Sequence, residues 1–154
     1  MAGPLDNRIP PPVMTVIIGI AMGAASRIVP PLQLPAGVRF GAVAVVMLMG
    51  GYFGGRAIFA FVKARTTINP VNIAAASSLV TSGVYGISRN PMYVGLAALL
   101  LALALLLSSG WLLLGPLIFI VFTTQFQIIP EERTLRAKFG AEYDVYCRRV
   151  RRWL

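Results

Sequence analysis

The residues that could do chemistry are concentrated in two short segments of an otherwise apolar chain. The first, residues 79–95, holds two tyrosines, an arginine and an Asn-Pro pair, and the second opens with the adjacent carboxylates of Glu131 and Glu132. Carboxylates attract cationic groups, and tyrosine rings can bind organic cations through their faces. The two segments therefore hold the candidate binding residues of the chain.

The segment 79–95 has the composition of a loop that leads into a helix. Gly83 and Gly86 permit tight turns, Asn90 suits the N-cap position, and Pro91 suits the first helical position, where no N–H is needed. An apolar run follows at once. The free N–H groups of this helix start should point into the loop, where they attract anions and carboxylates.

The composition places the chain in a membrane and excludes several chemistries. Of its 154 residues, 57% are hydrophobic and only 12% are charged, which is not the balance of a soluble globule. The chain has no histidine and a single cysteine, Cys147. Imidazole catalysis, a zinc cluster and an internal disulfide are thereby excluded, and we expect no metal.

Four apolar stretches approach the length of roughly 20 residues that a bilayer requires. They cover residues 13–29, 38–62, 91–107 and 111–129. We therefore predict an all-α integral membrane protein with about four transmembrane helices, forming one domain over residues 1–154. The connection 63–90 and the C-terminal segment 130–154 should lie outside the bilayer and build the site.

Particular residues shape these helices. The glycines of the second stretch should allow close helix packing, while Arg56 faces either a cavity or the membrane interface. Pro130 should end or kink the fourth helix. The C-terminal helix that follows is amphipathic, and it should lie on the membrane surface or fold over the loop. Gly140 can break it in two.

The basic residues predict the orientation of the protein. The 63–90 connection and the C-terminus carry most of the Lys and Arg residues, whereas the turn at 108–110 carries none, so both should be cytoplasmic. Much of the net charge of +9 comes from a C-terminal cluster, Arg148, Arg149, Arg151 and Arg152. Next to a membrane helix, such a cluster favours anionic lipid headgroups over nucleic acid.

Two motifs resemble those of the isoprenylcysteine carboxyl methyltransferase family. Residues 79–85 read Leu-Val-Thr-Ser-Gly-Val-Tyr, and residues 89–95 follow the family's Arg-His-Pro-x-Tyr-x-Gly pattern. One helical hairpin later, residues 131–146 fit Glu-Glu-x-x-Leu-x-x-x-Phe-Gly-x-x-Tyr-x-x-Tyr. The resemblance covers about residues 66–152.

This resemblance implies transfer of a methyl group from S-adenosylmethionine, with S-adenosylhomocysteine as the product, to a lipophilic acceptor in the membrane. The cofactor would enter from the cytoplasm and the acceptor from the bilayer. The cofactor-binding residues that the resemblance implies are Ser77, Ser78, Leu79, Val80, Tyr85, Asn90, Pro91, Met92, Tyr93 and Glu131. The helix start at Asn90 would receive the cofactor's carboxylate, and Glu131 would receive its ammonium.

The chain departs from the family pattern at two positions. Asn90 stands in place of a histidine, and Gln127 stands where eukaryotic relatives carry the arginine assigned to the substrate carboxylate. Gln127 can donate hydrogen bonds without charge, and Arg89 or Arg56 could supply the missing charge for binding the acceptor. Because alignment of the reactants can supply much of the acceleration, no general base is assigned. Glu131 and Glu132 are the candidates, and they are better suited to binding.

Three other functions fit the sequence less well. A sterol-reductase type of enzyme would use NADPH, but its C-terminal motif differs from Glu131-Glu132 and Phe139-Gly140. A small multidrug transporter needs an acidic residue inside the membrane, and all five acids here lie outside the apolar stretches. A non-enzymatic membrane scaffold would not require the two spaced motifs. The sequence does not indicate an oligomeric state.

Overall fold

The computed structural model describes residues 8–63 and 79–154, which are helical with short connections. The helices are α1 (Pro11–Ala25), α2 (Ala36–Lys63), α3 (Pro91–Leu106), α4 (Leu114–Thr123) and α5 (Ile129–Arg149). Short 3-10 turns cover Gly83–Gly86 and Gly110–Leu113. Within the described ranges there is no strand, only one isolated bridge between Ser88 and Arg151. The predicted all-α class is therefore confirmed for these residues.

Among the residues that the structure describes, two helical segments are long and apolar enough to cross a membrane. They are Ala36–Ala60, with 25 residues, and the continuous run Gly110–Arg149, with 40 residues, of which the apolar part ends at Ile129. The helices Pro11–Ala25 and Pro91–Leu106 are apolar but shorter. At about 1.5 Å per residue they are about 23 Å long, less than the hydrocarbon core of about 30 Å. The count of four spans remains a prediction.

Helix α3 lies at the centre of the packing. Its Leu100 and Ala104 join Ile18 and Met22 of α1 and Phe119 of α4 in a buried apolar cluster. On its other side α3 packs against α2, which otherwise presents many exposed apolar side chains. Because α3 touches α1, α2 and α4, its N-terminal end is held in place relative to the loop before it.

The contact between α2 and α3 depends on glycine. A Cβ added at Gly95 would lie 3.1 Å from the carbonyl oxygen of Gly50 and 3.2 Å from Cα of Gly54. The close-packing role expected for the α2 glycines therefore holds for Gly50 and Gly54. By contrast, a Cβ at Gly51 or Gly55 would meet nothing within 4 Å.

The regular α-helix is interrupted just before Pro130, which agrees with the predicted end or kink, but the helical path continues through a π turn. A π-helical turn, Thr124–Ile128, joins α4 to α5, and Pro130 lies in the first turn of α5. Proline lacks an N–H and its ring collides with the carbonyl four residues earlier in a regular helix. The wider π turn changes that register and lets the helical path continue. Further along, Gly140 takes φ 51° and ψ −126°, so α5 is interrupted there, as anticipated.

Candidate functional site

The loop before α3 is held between α2 and α5. Val84 and Tyr85 are buried against Phe53 and Ala57 of α2. From the other side, the hydroxyl of Tyr146 donates a 2.7 Å hydrogen bond to the carbonyl of Tyr85. Of the two alternatives for the C-terminal helix, the structure shows the one in which it folds over the loop. The turn itself begins at Gly83, whose φ of +63° favours glycine.

The N-terminus of α3 has no side-chain cap. Pro91 occupies the first turn as expected and is fully buried. Asn90 stands at the N-cap position, but its Oδ1 accepts no capping hydrogen bond, and its Nδ2 donates to the carbonyl of Arg152 at 2.9 Å. The N–H groups of Met92 and Tyr93, in the first turn, have no acceptor within the helix. This end of α3 is therefore suited to an anionic group.

Glu131 reaches the same region from α5. The hydroxyl of Tyr93 donates a hydrogen bond of 2.5 Å to its Oε1. Within residues 8–63 and 79–154, no lysine or arginine forms an ion pair with it. Burial raises the pKa of Glu131 to about 7, the hydrogen bond from Tyr93 opposes that rise, and the charge of Glu132 adds to it. A carboxyl group in this state gains from a cationic ligand, which would favour its ionised form.

Glu132 has the opposite surroundings. It accepts hydrogen bonds from Arg89 Nη2 at 2.8 Å and from Arg152 Nε and Nη2 at 2.9 and 2.8 Å. Burial alone would raise the pKa of Glu132, but its bonds to Arg152 and the charges of Arg89 and Arg152 outweigh burial and hold it below its usual value. Glu132 is thus ionised at neutral pH and paired with two arginines, and it joins the loop, α5 and the C-terminus.

The two residues predicted to contact the acceptor, Arg89 and Gln127, are both bonded to other residues of the chain. Arg89 binds Glu132, and its Nη1 also donates to the carbonyl of Cys147 at 3.4 Å. Gln127 lies in the π turn, is 1% exposed, and donates from Nε2 to the carbonyl of Ile9 at 2.8 Å. Thr123 is completely buried one turn earlier, and its hydroxyl has no hydrogen-bond partner. The π turn is therefore a polar, buried point within an apolar helix.

The structure brings most of the residues predicted to bind a cofactor to one place. Tyr93 is hydrogen-bonded to Glu131, and Tyr85 lies near both of them. Leu79 and Val80 are half-buried at the start of the described part of the loop. Ser77 and Ser78 lie outside the described residues. Arg56 is exposed on α2, with its guanidinium 5.9 Å from the ring centroid of Phe59.

The segment 130–154 was expected to help build the site, but the particular contacts of Arg152 and Trp153 were not predicted. Arg152 was assigned to the lipid-facing basic cluster, yet it binds Glu132 and accepts from Asn90. Trp153 donates from its indole nitrogen to Thr124 Oγ1 at 3.1 Å. In the sequence, the only indication is that Arg152 and Trp153 directly follow the regularly spaced apolar residues Tyr143, Tyr146 and Val150. The structure shows that these three residues are buried.

These features describe a helical protein with a candidate binding site at the start of its central helix. Comparison with known families gives the class: residues 38–142 match the phospholipid methyltransferase family, and the chain belongs to it. The predicted relationship to membrane methyltransferases is thereby confirmed. The match contains α3, Tyr93 and the Glu131-Glu132 pair.

The chain is also similar to a protein of Haemophilus influenzae (strain ATCC 51907 / DSM 11121 / KW20 / Rd) that carries the name "Uncharacterized protein". The two are 49% identical over 63 residues, which are 41% of this chain and 100% of that protein. No solved structure matches the chain.

Proposed function

We propose that this protein transfers a methyl group from S-adenosylmethionine to a lipophilic acceptor resident in the membrane. The observation that carries the proposal is the pairing of an uncapped helix start with a carboxylate that has no cationic partner among the described residues. The amino-acid part of the cofactor has a carboxylate and an ammonium, and these two features complement them. Family membership supplies the reaction class.

The residues of the chain have distinct roles in this proposal. The first-turn N–H groups of α3 bind the carboxylate, Glu131 binds the ammonium, and Tyr93 fixes the orientation of Glu131. The buried side chains of Phe53 and Val84 keep water from one wall of the site. The bound cofactor supplies an activated methyl group, so alignment is the main task left to the protein. Glu131 and Glu132 act here as binding groups rather than as bases.

The acceptor is best described as a membrane lipid with a neutral or amine head. The two residues considered for binding an acceptor carboxylate are already used, Arg89 by Glu132 and Gln127 by the carbonyl of Ile9. The family description names phospholipids as the substrates of this class. A phospholipid amine is therefore the acceptor to test first, with entry from the bilayer and cofactor entry from the cytoplasm.

The cofactor is tested by ligand-dependent stabilisation. In detergent, S-adenosylhomocysteine at 100 times its dissociation constant should add about 2.7 kcal/mol of stability, while NADPH in a parallel sample should add none. Glu131→Gln should weaken binding roughly 10- to 100-fold, because a hydrogen-bonded charge contributes about 1.5–3 kcal/mol. Glu142→Gln is the matched control, since it removes one exposed charge from the same helix. Stabilisation by NADPH alone would identify a reductase instead.

The acceptor is tested with methyl-labelled S-adenosylmethionine in vesicles. We expect label in phosphatidylethanolamine and none in the carboxyl group of an isoprenylated cysteine peptide. The reverse result would overturn the acceptor assignment and leave the methyltransferase assignment in place.

A further inference from the structure

The end of the chain returns to the start of α3 and is fixed there by several bonds. The backbone N–H of Arg89 donates to the carbonyl of Arg151 at 2.9 Å, next to the bridge between Ser88 and Arg151. The carbonyl of Arg152 accepts from the Asn90 side chain at 2.9 Å. Arg152 is therefore in contact with the residue that precedes the uncapped helix start.

The side chain of Arg152 binds Glu132, the residue next to the carboxylate proposed to bind the cofactor's ammonium. Its guanidinium forms a two-pronged pair with Glu132, with Nε on Oε1 and Nη2 on Oε2. Glu132 is the residue next to Glu131, and its side chain is only 12% exposed. Without compensation, that buried negative charge would act directly against ionisation of Glu131.

We propose that Arg152 is a positioning residue of the cofactor site, which keeps Glu131 available as the anionic partner of the cofactor's ammonium and holds Asn90 at the start of α3. This assignment rests on the proposed function. A single residue would then organise both the cationic and the anionic halves of amino-acid recognition. The role differs from that of the neighbouring Arg148, Arg149 and Arg151, which are exposed.

The charged and titratable groups around Glu131 make the role measurable. Tyr93 faces it from α3, Tyr85 from the loop, and Glu132 from its own helix. Burial raises the pKa of Glu131 to about 7. Because the chain has no histidine, no side chain with an ordinary pKa between about 5.5 and 7.5 competes with this titration.

The test is the pH dependence of S-adenosylhomocysteine binding, measured by calorimetry on the full-length protein in detergent. In the unmodified protein the affinity should rise with pH and level off above a midpoint near pH 7, because the ammonium requires ionised Glu131. Arg152→Gln should move this midpoint upward by at least about half a pH unit, since it removes one of the charges that compensate Glu132. Arg151→Gln, which removes an adjacent exposed charge, should leave it unchanged.

Two further variants separate an electrostatic role from a purely structural one. Arg152→Lys keeps the charge and should keep the midpoint within a few tenths of a unit, although a lysine cannot form the two-pronged pair. Glu132→Gln combined with Arg152→Gln removes the opposing charge as well and should return the midpoint to the original value or below it. If Arg152→Gln alone does not fold, Glu132→Gln alone should still lower the midpoint.

The proposal is overturned if folded Arg152→Gln protein shows the same midpoint and affinity as Arg151→Gln. It is also overturned if the double variant keeps the raised midpoint. Failure of the proposed function would look different, because the unmodified protein would then bind no S-adenosylhomocysteine at any pH. In that case the thermal midpoint of the ligand-free protein, followed against pH, still reports the titration of Glu131 and its response to Arg152→Gln.

Discussion

Replacing Gly50 with alanine should separate the two helices on which the site depends. A Cβ at Gly50 would lie 2.7 Å from Cβ of Ala98, whereas carbon atoms pack best at about 3.5–4.0 Å. Neither alanine has a side-chain torsion that could relieve the overlap, so the backbones of α2 and α3 must move apart by about 1 Å.

The expected cost follows from two opposing terms. Overpacking a tight contact destabilises by about 1–3 kcal/mol, and replacing a helical glycine with alanine returns about 0.5–1 kcal/mol. Gly50→Ala should therefore lose roughly 1–2 kcal/mol. Gly51→Ala is the matched control: its Cβ would meet nothing within 4 Å, so only the favourable term applies.

Thermal unfolding in detergent should rank the proteins with Gly51→Ala at or above the parent and Gly50→Ala below it. At about 2–4 °C per kcal/mol for a chain of this size, the two variants should differ by several degrees. Because α3 carries Tyr93, its displacement should also weaken S-adenosylhomocysteine binding in Gly50→Ala. If Gly50→Ala were as stable as Gly51→Ala, the described contact between α2 and α3 would be wrong.

Three further predictions concern the site and the helix that covers it. The free energy of unfolding should fall by roughly 3 kcal/mol as the pH rises from about 4.5 to about 7 and then level off, because folded Glu131 retains a proton that the unfolded chain has lost. Unfolding free energies that rose across this range would contradict the raised pKa of Glu131. Tyr93→Phe removes the hydroxyl that favours ionised Glu131, so S-adenosylhomocysteine should bind about tenfold more weakly at pH 6.5, and unchanged affinity in calorimetry would exclude the contact. Gly140→Ala should destabilise by about 1–3 kcal/mol because φ there is 51°, whereas helical Gly23→Ala should not; equal melting temperatures would refute the interruption of α5.

The sequence was sufficient to predict local structure wherever the signal is local. The start of α3 at Pro91 is confirmed because a missing N–H is tolerated only at that end of a helix. The irregularity at Gly140 was also anticipated. The interruption predicted at Pro130 is present, but its form was not predicted, because proline signals a break in α-helical bonding and does not reveal that a π turn can absorb it.

The parts that the sequence could not predict depend on contacts between distant residues. The hydrogen bond from the Asn90 side chain to the carbonyl of Arg152 joins positions 62 apart. Nothing in the sequence near Asn90 indicates that its side chain will bind the C-terminal segment. Composition also assigned Arg152 to the same basic surface as its neighbours. Only the folded chain distinguishes it, because one arginine of the cluster meets a buried carboxylate while the others face outward.

The contrast between Glu131 and Glu132 explains why two adjacent carboxylates fit one binding site. Consecutive residues of an α-helix point about 100° apart, so Glu132 meets Arg89 and Arg152 while Glu131 meets Tyr93. The paired carboxylate holds the loop, α5 and the C-terminus together whether or not a ligand is bound. The other has no such cation among the described residues, and burial keeps its pKa near 7. A cationic ligand lowers the free energy of ionised Glu131, and therefore Glu131→Gln should weaken binding, whereas Glu132→Gln should lower stability.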